Sequence, residues 1–298
     1  MVGIVVYNPN VITEHYLCAL MRYLIIISLF FLVLFSTGCK SEFEKMRASN
    51  DTELVYKKAI NYYKDKDYYK AQVLLEQILG RYRGKKEAED LYFKYAYTHY
   101  YLKNYVLAAS YFQNFANTYI TSDLRQEAAY MSAYCNYLQS PDYKLDQTYT
   151  YKAIDELQNF INNYPQNERV KDANKLIDEL RAKLEHKTMD EADLYYNLRQ
   201  YQAATNTLQN MLKDFPDSRN VETIRYMIVK SNYNLASNSI YNKKLERFEN
   251  AQISAEFFMS KFPKSKLRKE ISQILRTTKQ NIKNLNDGYQ NKSTGNRS

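Results

Sequence analysis

From about residue 51 onward, apolar residues return at helical spacing in paired blocks, parted by short polar turns such as Lys64-Asp65-Lys66-Asp67 and Leu102-Lys103-Asn104. Such a period gives a helix one apolar face, so each pair of blocks predicts two helices joined by a tight turn. The pairs repeat. Shifting the sequence against itself by 37 positions lays Ala59 on Ala96 and Ala133, Tyr63 on Tyr100 and Tyr137, and Tyr56 on Phe93 and Tyr130. The same register carries Tyr68 to Tyr105, Ala71 to Ala108, Leu75 to Phe112, Ile78 to Phe115 and Tyr82 to Tyr119. Self-similarity at a fixed period is the mark of stacked supersecondary units.

The second-helix pattern outlasts the regular period. Ala71, Ala108, Ala153, Ala204 and Ala251 are each followed eleven residues later by an aromatic: Tyr82, Tyr119, Tyr164, Phe215 and Phe262. After the last three comes a proline, Pro165, Pro216 or Pro263, which ends the helix because it cannot continue the hydrogen-bond ladder. Five units result, and the later spacings stretch to 45, 51 and 47 through insertions at 140–147, 183–190 and 237–245.

Small residues where paired helices would meet, a large apolar residue one turn further and a closing proline resemble the tetratricopeptide repeat. The fold this resemblance implies is all-α, a right-handed superhelix of about five helix pairs. Departures are Ala in place of the usual Gly at 59, 96 and 133, and no closing proline in the first two units. Residues 170–185 are expected as a long helix joining an N-terminal group, 51–169, to a C-terminal group, 170–286. The polar, uniform stretch 287–298 is expected to be disordered.

Composition supports helices. Six Gly and five Pro in 298 residues are too few breakers for an all-β or doubly wound fold. The 31 Tyr and 13 Phe provide ample apolar area, much of it tipped with a hydroxyl that needs a partner or water. The net charge of +9 comes from Lys and Arg scattered among acids, so nucleic-acid binding has no local support, and attraction to anionic headgroups near the N-terminus is unspecific.

The N-terminus reads as an address. Met21-Arg22-Tyr23, an apolar run from Leu24 to Phe35 and then Ser36-Thr37-Gly38-Cys39 make a charged start, a short hydrophobic core and a small-residue cleavage site. The run is short of the roughly 18 apolar residues that span a bilayer, so removal is expected rather than retention. A cysteine directly after small residues resembles the bacterial lipobox, although Ser36 stands where Leu is usual. The resemblance implies that Cys39 is acylated and becomes the mature N-terminus. Residues 1–20 then read as upstream extension, 21–38 as signal peptide and 39–50 as anchor and linker.

A lipobox, a short linker and five such repeats resemble the BamD family of outer-membrane assembly lipoproteins. The likeness runs from Cys39 to about Leu285 and is most specific at Glu127-Ala128-Ala129-Tyr130-Met131, at Ala173 through Glu185, and at Met211-Leu212-Lys213-Asp214-Phe215-Pro216-Asp217-Ser218. It implies a non-enzymatic scaffold anchored in the outer membrane and facing the periplasm. Its partners would be the barrel subunit's periplasmic repeat domains and unfolded outer-membrane proteins. In a tetratricopeptide array the first helices line the concave face, and carrying those positions over gives Tyr56, Tyr63, Phe93, Tyr97, Tyr100, Tyr130, Tyr134 and Tyr137 as a candidate peptide groove. Flat rings offer contact area at little entropic cost, although each ring could instead pack between helices.

Catalytic chemistry has no visible seat. His99 and His186 stand far apart without acids at metal-ligand spacing, so neither a metal nor a cofactor is expected beyond the lipid on Cys39. Cys135 lies in a helical stretch and reads as a small buried hydrophobe. Gly80-Arg81-Tyr82-Arg83-Gly84 follows a helix where phosphate and dinucleotide loops follow a strand, so it is read as a turn. Asp178-Glu179 and Asp190-Glu191 read as solvated helix surface. Two other functions use similar parts: a scaffold for another envelope complex, pilus-secretin or peptidoglycan-linked, and glycan capture, for which the chain lacks Trp and long loops.

Overall fold

A computed structural model describes residues 41–295, so Cys39, the signal stretch before it and residues 296–298 lie outside the described part. Regular structure among the described residues is helical throughout. The helices are α1 (Glu42–Arg47), α2 (Thr52–Lys64), α3 (Tyr68–Leu79), α4 (Ala88–Tyr101), α5 (Tyr105–Thr118), α6 (Arg125–Gln139), α7 (Thr148–Asn163), α8 (Val170–Asn197), α9 (Tyr201–Asp214), α10 (Val221–Ser237), α11 (Tyr241–Lys261) and α12 (Arg268–Gly295). The all-α repeat fold expected from the pattern is the fold observed.

The chain forms two compact units, one ending at Lys103 with α1–α4 and one beginning at Asn104 with α5–α12. Within each unit, every helix from α2 onward packs on the next. The approach depends on small side chains. Ala59, Ala96, Ala133 and Ala192 on the first helices of successive pairs are fully buried, as are Ala71, Ala108, Ala153, Ala204 and Ala251 on the second. One turn after the second-helix alanines stand Leu75, Phe112, Leu157 and Leu208, also fully buried, each worth about 1.5–3 kcal/mol in area removed from water.

Both kinds of connection recur, one at three of the five turns within pairs and the other after four of the five closing aromatics. Between the first and second helix of the first, second and fourth pairs, a cation takes the left-handed conformation: Lys66 at φ 62°, Lys103 at φ 62° and Arg199 at φ 60°. At two of these turns the chain closes on itself from both sides. Asp67 N donates to Tyr62 O at 2.9 Å and Lys66 N to Tyr63 O at 3.1 Å, while Gln200 N donates to Tyr195 O at 2.8 Å and Arg199 N to Tyr196 O at 2.9 Å. These bonds satisfy carbonyls that the helix end leaves open.

Between pairs, the aromatic that closes one helix is followed at its third position by a Ser or Asn that opens the next. Ser122 Oγ accepts from Leu124 N at 3.0 Å, Asn167 Oδ1 from Arg169 N at 2.9 Å, Ser218 Oγ from Asn220 N at 2.9 Å and Ser265 Oγ from Leu267 N at 2.9 Å. Short polar side chains there offer the backbone a turn instead of more helix.

Three boundaries differ from expectation. The joining helix does not stop near residue 185: α8 runs unbroken for 28 residues to Asn197 and is itself the first helix of the fourth pair. The insertion at 183–190 therefore adds two helical turns rather than a loop. Because α8 packs on both α7 and α9, it binds its neighbours into one unit, and the division falls after Lys103 instead of at residue 170. At the end of the chain α12 continues past Asn286 to Gly295. No proline intervenes after Pro263, and adding a residue to an existing helix costs far less than starting one.

Candidate functional site

The eight aromatics expected to form one groove fall into two sets, one in each unit. In the first unit Tyr56 and Tyr63 lie on α2, and Phe93, Tyr97 and Tyr100 on α4. Phe93 is only 8% exposed and packs edge-on to Tyr97 at 5.1 Å, so it supports the face rather than forming it. Tyr97 stacks on Tyr101 at 5.7 Å, Tyr101 stacks on Tyr68 at 4.2 Å, and Tyr63 meets Tyr68 edge-on at 5.7 Å. Tyr68 and Tyr101 thus belong to this surface although the repeat pattern did not single them out. The spacing of Tyr97 and Tyr101, one helical turn apart, was the available clue.

In the second unit Tyr130, Tyr134 and Tyr137 form a ladder along α6. Their rings lie nearly parallel, at 5.9 Å and 10° for the first step and 5.8 Å and 15° for the second. Tyr130 is the inner rung. It is 6% exposed, packs edge-on to Phe160 at 5.4 Å and carries the Arg169 guanidinium over its ring at 4.8 Å. Tyr134 and Tyr137 are half-buried and present ring area to solvent.

The hydroxyls on these first helices are tied across repeats. Tyr56 donates to Asp90 Oδ2 on α4 at 3.3 Å, and Tyr137 donates to Glu179 Oε2 on α8 at 2.8 Å. Tyr226 on α10 donates to Glu270 Oε2 on α12 at 2.8 Å. Tyr196 on α8 accepts from Asn234 Nδ2 on α10 at 2.8 Å. Each link joins a first helix to the next element in the same row, so the rings are held before any ligand arrives. Tyr196 follows Ala192 as Tyr63 follows Ala59, which extends the tyrosine series into the fourth pair. Glu179 and Asp190, read from sequence as solvated acids, are tyrosine partners: Tyr143 donates to Asp190 Oδ2 at 2.8 Å.

Two of these phenols titrate late. Burial, followed by the Asp90 carboxylate, pushes Tyr56 up to about 12. For Tyr137 the hydrogen bond to Glu179 leads, followed by burial, and the value is again about 12. Both rings stay neutral over any physiological range.

The remaining candidates for chemistry are packing groups. Burial pushes the Cys135 thiol up to about 12, well away from a reactive thiolate. His99 is 2% exposed, meets Tyr95 edge-on at 4.8 Å and lies 3.2 Å from Gln72 Nε2, and burial pulls its pKa down. Among the described residues no cluster of His, Cys, Asp or Glu is placed to hold a metal ion. No helix among them is long and apolar enough to cross a membrane. An open cleft of about 530 Å³ between α9 and α11, floored by α10, has a mixed lining of amides, apolar side chains, the cations Arg225, Lys243 and Arg247 and the acid Glu246.

The model of a family described as outer membrane lipoprotein, YfiO, matches residues 48–223, more than half of the sequence and all three helices that carry the aromatic sets. The chain belongs to that family. It is BamD-like, as the lipobox, repeats and motifs implied. Among curated proteins none matches. Among solved structures the chain is similar to the apo form of RapI, at 15% identity over 76% of this chain and 81% of that one, with a TM-score of 0.29. At that score the likeness carries no argument about shape or function.

Proposed function

We propose that the protein is a non-enzymatic scaffold of outer-membrane barrel assembly, anchored through Cys39 and facing the periplasm. The observation that carries this reading is membership of an outer membrane lipoprotein family over the stretch that contains both aromatic sets. The ring faces of Tyr63, Tyr97, Tyr101, Tyr134 and Tyr137 receive extended, aromatic-bearing segments of unfolded outer-membrane proteins. Ring stacking, and at Tyr137 the tied hydroxyl, favour this use: the rings lose little freedom on binding, and a neutral aromatic surface tolerates many sequences. The barrel subunit's periplasmic domains dock on the same chain, which brings substrate and barrel machinery together without any covalent step.

The test is affinity purification of the tagged, acylated protein from detergent-solubilised membrane, with mass spectrometry of what co-elutes. A large barrel protein with periplasmic repeat domains is expected in near-equal amount. Its absence under conditions that preserve envelope complexes would overturn the reading.

A further inference from the structure

The connection from α11 to α12 carries five cations in nine residues, Lys261, Lys264, Lys266, Arg268 and Lys269, with no acid among them. All five side chains are exposed, and none forms an ion pair among the described residues. Nearby cations do pair: Lys230 meets Glu270 at 3.7 Å and Lys279 meets Glu256 at 2.8 Å. Glu270, the first acid after the stretch, is therefore turned toward α10, where Tyr226 also donates to it. Arg268 Nη1 donates to the Met259 carbonyl at 2.9 Å, which orients the guanidinium without neutralising it. Among the described residues, Glu222 lines the hollow around Lys261, Lys264 and Lys266, and Glu270 lines the one beside Lys266 and Lys269.

We propose that this basic corner docks on an anionic lipid surface as a second attachment of the chain to its membrane. Three observations favour lipid headgroups over an acidic protein. Phe262 and Leu267, the large apolar residues of the stretch, pack against the Val229, Ala255, Phe258 and Ile271 core, so the corner offers charge without the buried apolar anchor that protein interfaces use. The cations sit on long stems along an exposed turn, and a diffuse anionic surface rewards such charges in any register. The chain belongs to a lipoprotein family, so headgroups are within reach at high local concentration. The corner lies beyond residue 223, where the family match ends, so family membership does not imply it, and it stands independently of the assembly-scaffold reading.

The test uses the full chain with Cys39→Ser, which removes acylation. It is sedimented with phosphatidylcholine vesicles and with vesicles in which about a third of the lipid is phosphatidylglycerol, at low salt. The stretch before Cys39 is the same in every variant, so the readout is how each variant changes the gain on anionic vesicles. Each contacting cation contributes about fivefold, so K264Q/K266Q/K269Q is expected to cut that gain by roughly 100-fold. The matched triple K171Q/K213Q/K243Q, with the same loss of net charge, is expected to leave most of it. Equal binding to both vesicle types, as an acidic protein partner would leave it, overturns the proposal. So does an equal loss in the two triple variants, which would assign the effect to net charge.

Discussion

The Tyr137 hydroxyl donates to Glu179 Oε2 at 2.8 Å, joining α6 to α8 across one repeat while the Tyr137 ring stacks on Tyr134. One side chain therefore serves two ends: the hydroxyl braces the array, and the half-buried ring belongs to the surface proposed above for binding. The two roles separate by substitution. Tyr137→Phe removes the hydrogen bond and keeps the ring, and a partly exposed bond of this kind is worth about 0.5–1.5 kcal/mol. A lower urea midpoint with unchanged affinity for an unfolded outer-membrane segment is the expected result. Tyr134→Ala and Tyr137→Ala together should weaken that affinity, and a double variant that binds as well as the parent would remove α6 from the site.

Stability should fall at high pH in a defined window. A phenol that holds its proton more tightly folded than unfolded contributes fully below its unfolded value near 10, and the contribution disappears as pH rises through the folded value. For Tyr56 and Tyr137 that folded value is about 12. Urea midpoints measured from pH 9 to pH 12 should therefore decline, and more gently in Tyr137→Phe than in the parent.

Fully buried alanines at the helix crossings should resist enlargement. Ala133→Leu and Ala204→Leu each force a larger side chain between close helices, at a cost of about 1–3 kcal/mol. Thermal melts read the loss directly. A Leu tolerated at either site would mean that the helices are less tightly engaged than their burial indicates.

Arg199→Gly should stabilise the protein. Arg199 holds φ 60° in the turn from α8 to α9, where a side chain costs about 1–2 kcal/mol. Glycine relieves that strain but adds freedom to the unfolded chain, worth about 0.5–1 kcal/mol the other way. The net expectation is a gain of a few tenths to about 1 kcal/mol. The corresponding loss in Gly84→Ala, at φ 81°, is the control of opposite sign.

Most of the repeat was legible in the sequence because it rests on local, periodic requirements. Alanine at a crossing and an aromatic eleven residues on answer steric needs that recur in every pair, and a proline follows in the last three, so aligning the units exposed them. The partners of the tyrosines were not legible, because Tyr137 and Glu179 are 42 residues apart and nothing in either neighbourhood points to the other. Tyr68 and Tyr101 escaped for a similar reason: their stacking at 4.2 Å depends on how α3 lies against α4. For Phe93 and Tyr130 the period named the correct face, while burial assigned them to support.

By itself the sequence determined the helical class, the repeat and the positions of most turns, which follow from side-chain size, periodicity and the conformational limits of proline, and its motifs carried the membership of a lipoprotein family. Only the tertiary structure decided that α8 is continuous, that acids on the next first helix hold the tyrosine hydroxyls, and that the five cations of 261–269 stay exposed while Glu270 beside them turns to Lys230 and Tyr226. Those outcomes depend on which side chains come within a few ångströms across different helices, a relation that the order of residues along one helix does not contain.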